Sequence, residues 1–586
     1  MQRAFLPVLL FSVGIFHLPG TRLFGIEADL ILHGGKVVTV DKAFSIHEAI
    51  AVQGKNVLEV GSSEEILKLR GARTEVLDLE GRMVIPGLID SHTHPTGASM
   101  TEFDHAIPEM ESIADVLAYV KGRTAVVKEG DWIVLQQVFI TRLREQRYPT
   151  RAELDSAAPS HPVLFRTGPD ASLNSLALKL SGIDRDFQVS DGGSGFAEKD
   201  KDTGEPTGIL RNCTRYVKVP PSSRQPSDQE KETRLKELLA DYNSVGITSI
   251  CDRDASLEGI ERYESLRQKG ELTVRVSCSQ GVGSIGPIEK IQSQIRSVAR
   301  GPLYIEKDDW LRIIGIKTYL DGGMLTGSAY LREPWGVSEI YGITDPSYRG
   351  VLFILRERLV AMVREAVTNG LQFTAHSVGD GAVHTLLSVY EELARDGLPV
   401  RETRCCITHS NFMSQEAVEQ AARLGVMLDV QPAWLYLDSR TLLRQFGNER
   451  LRWFQPLRTL IGAGVNVGGG SDHMQKIGSL RSINPYNPFL GLATAVTRRA
   501  RGLEDPLHPE EALSRQQALR FYTVNNARLL FREDGLGSLE AGKLADLVVL
   551  DTDLLTCPSE KIAATHVLRT YIGGKLVFTA HIDRPK

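Results

Sequence analysis

Four histidines, a lysine and an aspartate, each closing an apolar run, are the residues of this sequence best suited to act together. His92 and His94 end the run Met83-Val84-Ile85-Pro86-Gly87-Leu88-Ile89-Asp90-Ser91. Side chains on an extended strand alternate faces, so these two imidazoles point the same way, about 7 Å apart along the chain. Two neutral imidazoles on one face can hold a divalent transition metal. Lys317 ends the run from Leu311, His376 the run from Gly370, His409 the run from Arg404, and Asp472 the run from Gly464. Singly, each has an ordinary explanation: a core histidine, a lysine reaching solvent, an aspartate in a turn or cap. Their recurrence in the same place, run after run, points instead to one metal-centred cavity.

The elements that must position them follow from the intervening sequence. Helix-like stretches separate several of the runs, as at Arg356 to Asn369 and Gln415 to Leu424. Alternating strands and helices imply parallel β/α units, and a (β/α)8 TIM-like barrel gathers its strand C-termini on one face. The six residues would then converge there. The barrel is expected over residues 85–535, with 96–225 as a large insertion after its first strand, rich in loops and short helices and suited to cover a substrate. Residues 28–84 and 536–586 carry short β-like runs punctuated by turns, and neither segment has enough strands to bury a core alone.

Composition sets the class. A chain of 586 residues suits a large barrel with additions, and 42% hydrophobic with 24% charged residues is ordinary for a globular protein. A formal charge of −5 and the lack of a basic stripe with interleaved aromatics argue against nucleic acid as a partner. Residues 1–25 read as a signal peptide: Met1-Gln2-Arg3, an apolar stretch to Leu18, then the break Pro19-Gly20. That stretch is too short and broken for stable membrane insertion, so the expected destination is periplasmic or extracellular, or cytoplasmic if the signal is not used. Of six cysteines, Cys405 and Cys406 read as buried free thiols in a strand.

The ordered set resembles the metal-dependent amidohydrolase superfamily, in the branch of N-substituted formamide deformylases and exoenzyme-regulator-like proteins. The likeness runs from about Ala28 to Thr579. It is carried by Val84–His94, Leu154-Asp155, Gly204–Gly208, Ala375–Asp380, Gln431-Pro432, Gly470–Asp472 and Gly542–Leu547. The resemblance implies that the two chain ends pair into one small β-sandwich beside the barrel. It implies two divalent metal ions, zinc being the first choice for imidazole and carboxylate donors. His92 and His94 would hold the more buried ion with Asp472, and His376 and His409 the second. An ammonium cannot ligate a cation, so the matching Lys317 implies a carboxylated lysine whose carbamate bridges the pair; burial near cations favours the neutral amine this requires.

The implied reaction is hydrolysis of a non-peptide carbon–nitrogen bond in a small-molecule amide, with Asp472 as general base. Arg166, Asp170, Asn174 and His473 are candidates to bind substrate, and Asp321 and Asp380 to orient Lys317 and His376 from behind. Two positions depart from the family pattern: Pro169, where a histidine is frequent, and Asn212, where an acidic residue is common. Both bear on the substrate rather than on the metal set. Deamination or hydrolysis of a cyclic amide or lactone is the alternative chemistry on this scaffold, and a binding protein that kept the fold is a third reading. Lys317 weighs against deamination, and the complete ligand set against loss of catalysis. Fold analogy makes a homodimer the expected assembly.

Overall fold

The computed structural model describes residues 27–580 apart from 137 and 223, so the export segment expected at 1–25 lies outside the described residues. Eight parallel strands form the central sheet: β1 (Leu88–Thr93), β2 (Ile247–Ala255), β3 (Arg275–Gly281), β4 (Leu311–Tyr319), β5 (Gln372–Ser377), β6 (Cys406–His409), β7 (Met427–Val430) and β8 (Val467–Gly469). Each pairs with the next in sequence order. The circle closes just beyond β8, where Asp472 N donates to His92 O at 2.8 Å and His94 N donates to His473 O at 2.8 Å. The apolar runs of the sequence are these strands, buried on both faces as parallel barrel strands must be. The helix Asp380–Arg395 shows the complementary pattern, burying Val383, Leu386, Leu387 and Tyr390 at helical spacing against the sheet. Cys405 and Cys406 are free and buried, as read.

The run Met83–Asp90 is not one strand but two, divided at Gly87. Before it, Met83–Pro86 pairs with Leu547–Leu550; after it, β1 pairs with β2. A Cβ at Gly87 would lie 2.1 Å from Thr248 Oγ1, so the crossing between the two sheets is passable only without a side chain. The sheet before Gly87 has six strands, three from each side of the barrel in sequence, in the order Lys575–Thr579, Val567–Ile572, Leu547–Leu550, Met83–Pro86, Lys36–Val38, Ile46–His47. It packs on a four-stranded sheet of Asn56–Gly61, Ala49–Gln53, Ala28–His33 and Arg70–Asp78 through Leu32, Val52, Val84, Leu547 and Val549.

The segment after β1 has the loops and short helices expected of it, and more. It contains a five-stranded sheet in the order Phe196–Lys199, Pro206–Arg211, Asp170–Leu173, Val163–Thr167, Ile133–Gln136. These strands are four to six residues long and interrupted by charge, as at Arg166, which weakens their alternation in the sequence. Among the described residues no helix is long and apolar enough to cross a membrane.

Candidate metal centre

The strand ends meet as their positions in the runs require. His92 and His94 leave β1 on one face, with Nε2 atoms 3.2 Å apart. Asp472, beyond β8, brings Oδ1 to 3.2 Å from His94 Nε2 and 3.3 Å from His92 Nε2. Ligand atoms of these three lie within 4.8 Å of one another. His409 stacks beside them, its ring 4.9 Å from His92 and 4.5 Å from His376. Asp472 and His409 both have left-handed backbone, at φ 56° and 76°, an uncommon conformation for such residues that concentrates at functional sites. Asp90 fixes the seam: its Oδ1 accepts from the backbone N–H of both His92 and Ser471 at 3.0 Å. Burial pushes Asp90 up to about 7.

Hydrogen bonds on the far side of each ring decide which nitrogen faces inward. His92 Nδ1 lies 3.1 Å from Asp429 Oδ1, and His409 Nδ1 lies 2.8 Å from Gln431 Oε1. Both partners are acceptors, so each Nδ1 carries the proton and each Nε2 is left with a lone pair. The lone pairs of His92 Nε2 and of the Asp472 carboxylate therefore face one another across a buried space, an arrangement that repels itself unless a cation sits between. This donor set fits a divalent metal. Burial, reinforced by Lys317, holds His92 well below the ordinary imidazole value and brings His376 to about 3, so both are neutral and able to ligate. Burial also lowers His94, but the Asp472 carboxylate outweighs it and raises that ring.

Lys317 is 1% exposed, on the inner face of β4, and burial lowers its pKa in the direction of the neutral amine. Asp429 and Arg253 were not singled out in the sequence, and Gln431 only as part of the family likeness, yet all three pack behind the centre. Asp429 accepts from Gln431 Nε2 at 3.1 Å and Thr408 Oγ1 at 3.2 Å, and pairs with Arg253 Nε at 3.2 Å. Its signal was available: a carboxylate inside the apolar run Val426–Val430 cannot be buried there without partners.

The four candidates for substrate contact separate. Arg166 lines a cavity of about 1130 Å³ that also exposes His92, His94, Lys317, His376 and Asp472. Asp170 does not line it; fully buried, it faces Arg211 at 3.7 Å and accepts from Asn212 N at 3.0 Å. Asn174 is also outside the lining and caps the helix Ser175–Ser181, accepting from Ala177 N and donating to His161 O. His473 turns away as well, bonded to Tyr242 Oη at 2.7 Å and Lys476 O at 2.8 Å. Pro169 and Asn212, the two departures from the family pattern, both line the cavity.

Asp321 accepts from the backbone of Tyr330, Val378 and Gly379 at 2.9 Å each and stands 3.7 Å from His376 Nε2. It therefore joins the loop after β4 to the end of β5. Asp380 accepts from Arg332 N at 2.9 Å and lies outside the cavity lining, so it fixes a loop rather than His376.

Comparison with known proteins agrees with this geometry. The chain is 28% identical over 563 residues to the N-substituted formamide deformylase of Arthrobacter pascens, covering 94% of this chain and 98% of that one. It is 27% identical over 561 residues to the putative amidohydrolase YtcJ of Bacillus subtilis, covering 94% and 99%. A solved structure of an uncharacterized metal-dependent hydrolase from Pyrococcus horikoshii superposes with a TM-score of 0.63 at 23% identity, over 91% of this chain and 99% of that one. The profile of the amidohydrolase family matches residues 75–578. With barrel, strand-end histidines and this match together, the chain belongs to the amidohydrolase family and is a hydrolase.

Proposed function

We propose that this enzyme cleaves the carbon–nitrogen bond of a small non-peptide amide, an N-formyl or N-acyl amine. The observation that carries the reading is the convergence of His92 Nε2, His94 Nε2 and Asp472 Oδ1 within 4.8 Å at a large cavity. The relative named for formamide deformylation supports the substrate class.

A divalent metal held there, zinc by donor chemistry, supplies polarisation of the substrate carbonyl and a water acidic enough to attack near neutral pH. His92, His94 and Asp472 would hold one ion; His376, His409 and a carboxylated Lys317 would hold a second. Asp472, whose Oδ1 stands 3.2 Å from His94 Nε2 on the cavity wall, would take the proton of the attacking water and deliver it to the leaving nitrogen. The indole of Trp434 stacks on the His409 ring at 4.8 Å, fixing that ligand and adding an apolar wall.

The test is metal analysis of wild type beside Lys317→Ala, with hydrolysis of a panel of N-formyl and N-acyl amines. Close to two metals per chain, falling together with activity in the variant, is expected. One metal per chain with activity indifferent to Lys317 overturns the two-metal centre, and a metal-loaded enzyme inert on every amide overturns the substrate class.

A further inference from the structure

Tyr319 and Asp254 are brought together by the barrel for a reason that the metal set does not explain. Alternation along β4 puts Tyr319 on the same face as Lys317, two residues on and nearer the cavity mouth. Its ring lies 5.4 Å from that of His376 and 5.0 Å from Lys317 Nζ. Asp254 lies two strands away on β2, with β3 between them. It still reaches across, accepting from Tyr319 Oη at 2.9 Å.

Two features make this reach work. The β3 residue beneath the contact is Gly281, paired with Lys317, and a Cβ there would stand 2.3 Å from Asp254 Oδ1. Asp254 itself is held at φ 105°, a strained backbone for a residue with a side chain. Asp254 and Tyr319 both line the cavity.

The chemistry follows from the direction of that bond. A carboxylate only accepts, so the phenol proton points to Asp254 and the phenol oxygen offers the cavity only lone pairs. We propose that Tyr319, with its proton held by Asp254 across Gly281, determines specificity by accepting a hydrogen bond from the substrate's amide N–H. The site thus favours amides that carry an N–H over their N,N-disubstituted counterparts. This rests on the amide reading above and narrows it.

Calorimetric titration of the metal-loaded enzyme with N-benzylformamide and with N-benzyl-N-methylformamide tests it, alongside the hydrolysis rates of both. Wild type should prefer the N–H compound by about three- to ten-fold, the net size of one hydrogen bond at a partly exposed site. Tyr319→Phe should abolish the preference at unchanged metal content. So should Gly281→Ala, which displaces the Asp254 carboxylate while leaving both partners in the chain. Asp254→Asn should keep it, because the amide oxygen still accepts and asparagine tolerates positive φ. A preference caused by the bulk of the added methyl would survive Tyr319→Phe, and that result overturns the assignment, as does equal binding by wild type. Preferential binding without hydrolysis would sink the amide-hydrolase reading alone; hydrolysis without preference would sink only the role of Tyr319.

Discussion

His92 Nδ1 meets Asp429 Oδ1 at 3.1 Å with both side chains fully buried, and this contact sets which nitrogen of His92 is free to ligate. Asp429→Asn keeps an acceptor but loses the charge that strengthens the ligand. Its metal affinity should fall by about ten- to a hundred-fold with the fold intact. Competition against a chromophoric chelator measures this; unchanged affinity would mean that Asp429 serves only its other partners, Arg253, Thr408 and Gln431.

On the proposed mechanism, Asp472→Asn removes the group that moves protons and weakens one metal ligand. At saturating metal, kcat should drop by about a hundred-fold or more, the usual worth of a positioned general base. Steady-state kinetics at increasing metal separates the two losses, because added metal restores only the binding deficit.

Arg275 on β3 and Asp546, in the loop before Leu547, form a buried pair at 2.7 and 3.0 Å, with side chains 1% and 3% exposed. Asp546 also accepts from Gly573 N at 2.7 Å, tying the barrel to the satellite sheet. Asp546→Ala leaves a buried guanidinium without its partner and should cost about 3–5 kcal/mol. Denaturant unfolding reads the loss; a change within about 0.5 kcal/mol, as at an ordinary surface site, would refute the clamp.

Acid should weaken the segment after β1. The Arg147 guanidinium bonded to Glu153 holds that carboxyl down at about 2, against an ordinary 4.5. A depressed folded-state pKa means that the pair's stabilisation is complete above the unfolded value and is lost as pH falls from about 4.5 toward 2. Glu153→Gln should therefore melt below wild type at neutral pH, with the gap closing in acid. Melting curves at pH 7, 4 and 3 give the comparison, and a gap independent of pH would contradict it.

Much of this was legible in the sequence, for reasons that differ from residue to residue. The period of two places His92 beside His94, and apolar runs separated by helical stretches announce a parallel barrel, so the positions of the candidate ligands follow from simple geometry. That Asn174 and Asp170 lie outside the cavity lining could not be read, because a buried polar side chain that caps a helix or pairs with an arginine has the same residue type as one that binds substrate. The partnership of Asp254 and Tyr319 was invisible because it depends on a glycine on a third strand. Short strands such as Phe196–Lys199 gave too few alternations to show a sheet.

The pairing of Met83–Pro86 with Leu547–Leu550 has a consequence for the order of folding. The first of these strands leaves the ribosome hundreds of residues before its partner, and until then presents an unsatisfied edge. The barrel is thus synthesised inside an interval that the satellite sheet cannot yet close. Such long-range pairing slows folding and exposes intermediates to aggregation, so the satellite sheet can zip shut only after the whole barrel between its two halves has been made.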